Sequence, residues 1–104
     1  MEDQTRPAMM TDEERKTALF GSLIVMFQSA AMQHMGKIKN PATDKVERDL
    51  QQAQMMIDML DMLQSRTRNN LTKDEAAFLG DVLRELKLNF VDEQKKPDAG
   101  KEPS

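Results

Sequence analysis

Apolar residues recur every three or four positions through three separate segments of the chain, which is the spacing of a helix that buries one face. Each segment begins near a threonine or aspartate that is followed three residues later by a glutamate, a pattern that caps the first turn of a helix. No segment alternates apolar and polar residues as a half-buried strand does. The sequence therefore predicts an all-α fold with three helices.

The first predicted helix begins at Thr11 and ends before Gly36, because glycine readily adopts the left-handed backbone that stops a helix. From Thr17 to Gly36 it carries no formally charged residue. Its main apolar arc consists of Leu19, Leu23, Met26, Phe27 and Ala30, and widens through Phe20, Ile24, Ala31 and Met35. The opposite side holds only small or neutral residues. A helix without a charged face is usually covered on more than one side.

The second predicted helix begins after Thr43 or Asp44 and runs to about Arg68, where Asn69 or Asn70 supplies a left-handed residue. Its narrow apolar stripe consists of Val46, Leu50, Ala53, Ile57 and Leu60. The third helix opens with a capping box at Thr72 and ends near Val91 or Asp92; its stripe is Leu79, Val82, Leu83, Leu86 and Phe90. Short links predict that helices two and three form an antiparallel hairpin, with helix one packed across it.

The two ends of the chain lack any helical period. Residues 1–10 and 93–104 are polar and contain proline, so we expect disordered tails on either side of a helical domain spanning 11–92. A chain of 104 residues is enough for one domain. Its ordered part, roughly 80 residues, gives a thin core of the kind that oligomerisation often supports.

Charge and composition narrow the classes of partner. The net charge of −3 argues against nucleic acid, which attracts clustered positive charge. The chain has no cysteine, and its first ten residues lack the apolar stretch of a signal peptide, so a cytoplasmic location is expected. Helix one is not predicted to span a membrane, because its contiguous strongly apolar part is only Leu23 to Phe27.

Several short motifs between Leu19 and Val91 follow one another in a specific order. They are Asn40-Pro41-Ala42-Thr43, Asp49-Leu50 with Ala53, Ile57-Asp58-Met59-Leu60 with Leu63, Thr67-Arg68-Asn69-Asn70-Leu71-Thr72 with Glu75, and finally Leu83, Leu86 and Val91. In order and spacing they resemble a family of small bacterial proteins catalogued as domain of unknown function eighteen-forty-four. The resemblance implies a bacterial origin and a helical fold, and it implies no activity. The family typically has glycine where Asn69 stands and a tyrosine near Phe90.

Candidate catalytic and metal-binding groups are few. His34 is the only histidine, and no nucleophile accompanies it. Asp58 and Asp61 lie three residues apart, but Gln54 stands where a third carboxylate would strengthen a metal site. Methionines at helical spacing could bind copper(I), yet such a stripe is more often a packing surface. We therefore predict no catalytic, cofactor or metal site, and we expect that the protein is not an enzyme.

The methionines of helix two extend its apolar surface beyond the predicted stripe. Together with the uncharged helix one, they predict a protein that associates with itself. The predicted interface consists of Phe20, Ile24, Phe27, Ala31, Met35, Met55, Met59 and Met62. In the alternative interpretation the same surface binds a different protein or a membrane surface; an enzyme or a metal protein is the least favoured.

Overall fold

The computed structural model describes residues 10–97, which form three α-helices. These are α1 (Asp12–His34), α2 (Leu50–Arg66) and α3 (Lys73–Gln94). Within the described residues the only β-type pairing is an isolated bridge between Asn40 and Lys45. The predicted all-α fold with three helices is confirmed.

Contacts at the two ends of the bundle show how the helices run. At one end the Thr17 hydroxyl of α1 donates a hydrogen bond to the Glu75 carboxylate of α3, at 2.8 Å. At the other end Lys37, just after α1, lies 2.9 Å from the carboxylate of Glu93 in α3. Because both pairs join corresponding ends, α1 and α3 are parallel and α2 is antiparallel to both. The predicted hairpin of α2 and α3 is present, and α1 lies along it.

The predicted caps explain where the helices begin and end. Thr11 and Thr72 each form a capping box, in which the threonine and the glutamate three residues later exchange hydrogen bonds. After α1, Gly36 has a φ of 80°, and the N–H of Lys37 donates to the carbonyl of Met32 at 2.9 Å. This pairing closes the last turn of α1 as a Schellman motif. Asn69 has a φ of 72°, so it supplies the left-handed residue that was predicted after α2.

The predicted start of α2 is wrong by several residues. Asp44 does not cap a helix; it has a φ of 58°, and its N–H closes a turn onto the carbonyl of Asn40. The Glu47 carboxylate accepts hydrogen bonds from the side chains of Asn40 and Thr43, which ties the loop to itself. Val46 is therefore a loop residue with 59% of its surface exposed, not part of the buried stripe.

The helix begins instead at Leu50, with Asp49 as its cap. The Asp49 carboxylate accepts a hydrogen bond from the N–H of Gln52, at 3.2 Å. The N–H of Asp49 donates to the carbonyl of His34 at 2.7 Å, which fixes the start of α2 beside the end of α1. The loop of residues 37–49 is thus anchored at both ends by hydrogen bonds.

One hydrophobic core lies between the three helices. Its buried members are Ile24, Ala31, Met35, Ala53, Ile57, Leu60, Leu79, Val82, Leu83 and Leu86. Full burial of such aliphatic side chains stabilises a fold by about 1.5–3 kcal/mol each. Apart from Val46, the predicted stripe of α2 and that of α3 pack in or against this core.

Helix α1 carries two apolar rows, each with successive spacings of four, three and four residues. The inner seam is Phe20, Ile24, Phe27 and Ala31, and it faces the core. The outer seam is Leu19, Leu23, Met26 and Ala30, displaced by one residue, or about 100° around the helix. The main apolar arc of the sequence analysis therefore coincides with the outer seam, apart from Phe27, which belongs to the inner seam. Leu19, Leu23 and Met26 are 53%, 40% and 68% exposed.

The end of α3 lies beyond the predicted boundary. The helix continues through Gln94, and Glu93 is buried, so residues 93–97 belong to the folded domain and not to a tail. Residues 1–9 and 98–104, which make up most of the two predicted tails, lie outside the described residues.

Candidate functional site

The outer seam of α1 is an apolar surface without a formal charge. Ser22, Ser29 and Gln33 lie beside it, and no formally charged residue occurs between Thr17 and Gly36. Exposed apolar residues are normal when they are scattered singly, whereas a contiguous row marks a surface that meets a partner. The outer seam is such a row.

A second apolar surface lies on the outer side of α2. Met55, Met59 and Met62 are 47%, 37% and 51% exposed. Together with Gln51 and Asp58 they line a shallow, open groove along the helix. The unbranched thioether side chain adapts to irregular neighbours, which is why methionine is common on surfaces that bind partners.

The position of α3 shows that these two surfaces form one face. Helix α3 contacts α1 at Thr17 and Gly21, on the side of α1 opposite the outer seam. It contacts α2 at Asp61 and Gln64, on the side opposite the three methionines. Both surfaces therefore point away from α3. We call them together the α1/α2 face, defined by Leu19, Leu23, Met26, Ala30, Met55, Met59 and Met62.

The antiparallel pairing of α1 and α2 also matches the two surfaces in height. The hydrogen bond from Asp49 to His34 sets these two residues at the same height along the helix pair. Because the helices run in opposite directions with the same rise per residue, other residues at equal height also have numbers that sum to about 83. Met59 consequently lies between the heights of Leu23 and Met26. Met26, the most exposed residue of the outer seam, therefore lies at about the same height as the middle of the methionine row.

The residues of the predicted interface fall into three groups. Ile24, Ala31 and Met35 have no exposed surface in the monomer, which leaves no area on them for a second chain to contact. Phe20 and Phe27 are partly buried and pack against the core. Only the three methionines of α2 are exposed. On α1, the predicted interface consists of the inner seam and Met35. The α1/α2 face instead contains the outer seam, which is displaced from the inner seam by one residue.

At one end of the bundle, a cluster of charges surrounds Glu93. The Nε atom of Arg48 donates to Glu93 Oε1 at 3.2 Å, and a guanidinium nitrogen donates to the Glu93 carbonyl at 2.6 Å. The ammonium groups of Lys37 and Lys96 lie 2.9 Å and 2.8 Å from Glu93 Oε2. The hydrogen bond from Lys96, supported by Lys37 and opposed by burial, lowers the pKa of Glu93 to about 2.

The Glu93 cluster links parts of the chain that are distant in sequence. Arg48 belongs to the loop before α2 and Lys37 to the turn after α1, so one carboxylate joins both to α3. Arg48 also donates to the carbonyl of Pro97, at 3.4 Å. The sequence analysis missed this role because Glu93 was assigned to a tail. The signal was present, since Glu93 continues the spacing of Leu86 and Phe90.

The polar residues considered for chemistry make structural contacts. Asp58 accepts a hydrogen bond from Gln54, at 2.9 Å, and Asp61 pairs with Lys87 of α3, at 3.0 Å. His34 is partly buried at the end of α1. Among residues 10–97, no three histidine, aspartate or glutamate side chains converge in a way that could hold a metal ion. In the same part of the chain, no helix has the length and apolar character needed to cross a bilayer.

The fold and the exposed face define a small three-helix domain with an apolar surface on α1 and α2. A family model described as Domain of unknown function (DUF1844) matches residues 17–93, most of the chain. The protein belongs to this family. The match extends from the first part of α1 to Glu93 and so includes the whole α1/α2 face. No curated protein and no solved structure matches the chain.

Proposed function

We propose that this protein is a non-enzymatic interaction protein that assembles with copies of itself through the α1/α2 face. The observation that supports this proposal is the outer seam, whose three large side chains are 40% to 68% exposed in the monomer. Removing apolar surface from water contributes about 25 cal/mol per Å². Covering this seam together with the methionine row therefore gives a favourable driving force for association.

The charge pattern favours a second copy as the occupant. A two-fold interface places the same patch of both chains together, so any charge near its centre meets an identical charge. The stretch of α1 between Thr17 and Gly36 has no formal charge, and this repulsion does not arise there. A partner of another kind would impose no such requirement on the face.

The proposal that the protein is not an enzyme rests on composition and on the groove. The chain has one histidine and no cysteine. The groove beside the methionines has a single titratable side chain in its lining, Asp58. One carboxylate without a partner base in the groove offers little for catalysis. We also propose a cytoplasmic location in a bacterial cell. The reducing conditions there do not affect the stability of a protein that has no cysteine and so needs no disulfide.

The experiment compares the molar masses of three chains by light scattering after size exclusion. The unmodified chain, of 11.9 kDa, is expected to elute as an oligomer at micromolar concentration. Met26→Glu is expected to be monomeric, because it places a charge at the centre of the proposed interface. Leu88→Glu is the matched control. Leu88 is 66% exposed, almost the same as Met26, but lies on α3.

The outcome separates the two kinds of partner. Dissociation by Met26→Glu with retention of the oligomer by Leu88→Glu supports the proposal, provided that circular dichroism shows unchanged helix content. A monomeric unmodified chain overturns self-association. If a pull-down from the host then recovers a stoichiometric protein that Met26→Glu fails to bind, the same face serves a heterologous partner.

A further inference from the structure

We infer that the second copy docks antiparallel along α1, with Leu23 beside Met26 of the partner subunit and Leu19 beside Ala30 of the partner subunit. This inference rests on the proposed function, and it adds the orientation and register of the two chains. It follows from the spacing and the side-chain sizes of the outer seam.

The spacing of the outer seam is that of a helix that packs lengthwise on another helix. Successive members are four, three and four residues apart. Side chains at this spacing interlock with those of a second helix at a crossing angle of about 20°, as in coiled coils. The row is also symmetric, since its midpoint falls between Leu23 and Met26. A two-fold axis at this midpoint keeps all four members in contact.

The sizes of the side chains distinguish the two possible orientations. The row is bulky at Leu19 and small at Ala30. A parallel pair would place alanine against alanine at one end, which leaves a gap, and leucine against leucine at the other. An antiparallel pair places a leucine against an alanine at both ends, so the separation of the helices is uniform. Well-packed interfaces combine large and small residues in this way.

The absence of cysteine from the sequence makes this arrangement directly testable by cross-linking. Two single variants of the full chain, Leu19→Cys and Ala30→Cys, are prepared, one of them with a mass tag. In the antiparallel pair the two copies of position 19 are separated by eleven residues of helix, or about 16 Å. A disulfide requires Cα atoms within about 7 Å. Each variant alone should therefore fail to cross-link through the seam.

The mixture of the two variants is equilibrated and oxidised mildly with oxidised glutathione. The expected result is a covalent dimer of mixed mass that joins position 19 to position 30, without a covalent dimer of either variant with itself. Disulfides that join 19 to 19 and 30 to 30 would overturn the antiparallel arrangement. So would the failure of every cross-link in a chain that light scattering shows to be oligomeric. Those two results leave self-association intact, whereas a monomeric unmodified chain overturns both proposals.

Discussion

The inner seam of α1 packs in and against the core, whereas Leu19, Leu23 and Met26 of the outer seam, one residue out of phase, are 53%, 40% and 68% exposed. The two rows have the same spacing and similar side chains: Phe20, Ile24, Phe27 and Ala31 against Leu19, Leu23, Met26 and Ala30. The two rows differ in burial, because the rest of the molecule covers the inner seam and leaves much of the outer seam exposed. A helix with two such rows has more apolar surface than a three-helix monomer buries, and this excess is the basis of the proposed assembly.

The largest predicted effect is the difference in stability loss between a truncation in the inner seam and one in the outer seam. In the Met26→Glu background, which is expected to be monomeric, Ile24→Ala should lower the free energy of unfolding by about 3 kcal/mol. Ile24 has no exposed surface, so its truncation leaves a cavity in the core. Leu23→Ala is the matched control and should cost about 1 kcal/mol or less, because Leu23 is already 40% exposed. Urea denaturation measures both. Equal losses would contradict the division of α1 into a buried and an exposed seam.

A smaller loss is expected at the Glu93 cluster, which lies beside Met35 at the C-terminal end of α1. Glu93→Gln removes a buried charge from its three cationic partners and should cost about 2 kcal/mol at neutral pH. Glu85→Gln, an exposed position on the same helix, should cost almost nothing. The same denaturation experiment applies. A loss no larger than that of the control would mean that the cluster does not fasten the bundle.

The pKa of Glu93 predicts how this loss depends on pH. The pKa is lowered from 4.5 to about 2 in the folded chain, so the charged carboxylate stabilises the fold above pH 4.5. That stability should decrease as the pH falls from 4.5 towards 2. In this range Glu93 binds a proton in the unfolded chain but stays charged in the folded one. The difference between the unmodified chain and Glu93→Gln should therefore shrink over this range. A difference that stays constant down to about pH 3 would contradict the lowered pKa.

The smallest effect concerns the outer seam and salt. Because this part of the proposed interface is uncharged, raising the salt from low to physiological concentration should change the dissociation constant of the oligomer by no more than about threefold. Sedimentation equilibrium at both salt concentrations measures the dissociation constant. Dissociation by salt would show that charged groups outside the outer seam hold the copies together.

Sequence reasoning was most successful where a local rule determines the structure. The capping boxes at Thr11 and Thr72 and the left-handed stops at Gly36 and Asn69 depend only on residues a few positions away. The start of α2 was missed because two candidate caps occur in succession. Asp44 and Asp49 are each followed three residues later by a suitable partner. The choice between them depends on hydrogen bonds that their backbone N–H groups donate to the carbonyls of Asn40 and His34.

The interaction surface and the Glu93 cluster depend on contacts between distant residues. Periodicity showed that α1 is apolar almost all round, but two rows with one spacing cannot be told apart until α3 is placed on one side. Glu93 looked like a solvated residue of a polar tail, and its burial depends on Lys37 and Arg48, which come from the loop between α1 and α2. The local elements were therefore predictable, while the assignment of faces was not.

The most direct test of the central claim, that a second copy covers the outer seam, is sedimentation equilibrium of the unmodified chain over a range of micromolar concentrations. We predict a mass that is a whole multiple of 11.9 kDa and that falls towards the monomer on dilution. A mass of 11.9 kDa at every concentration would contradict the claim.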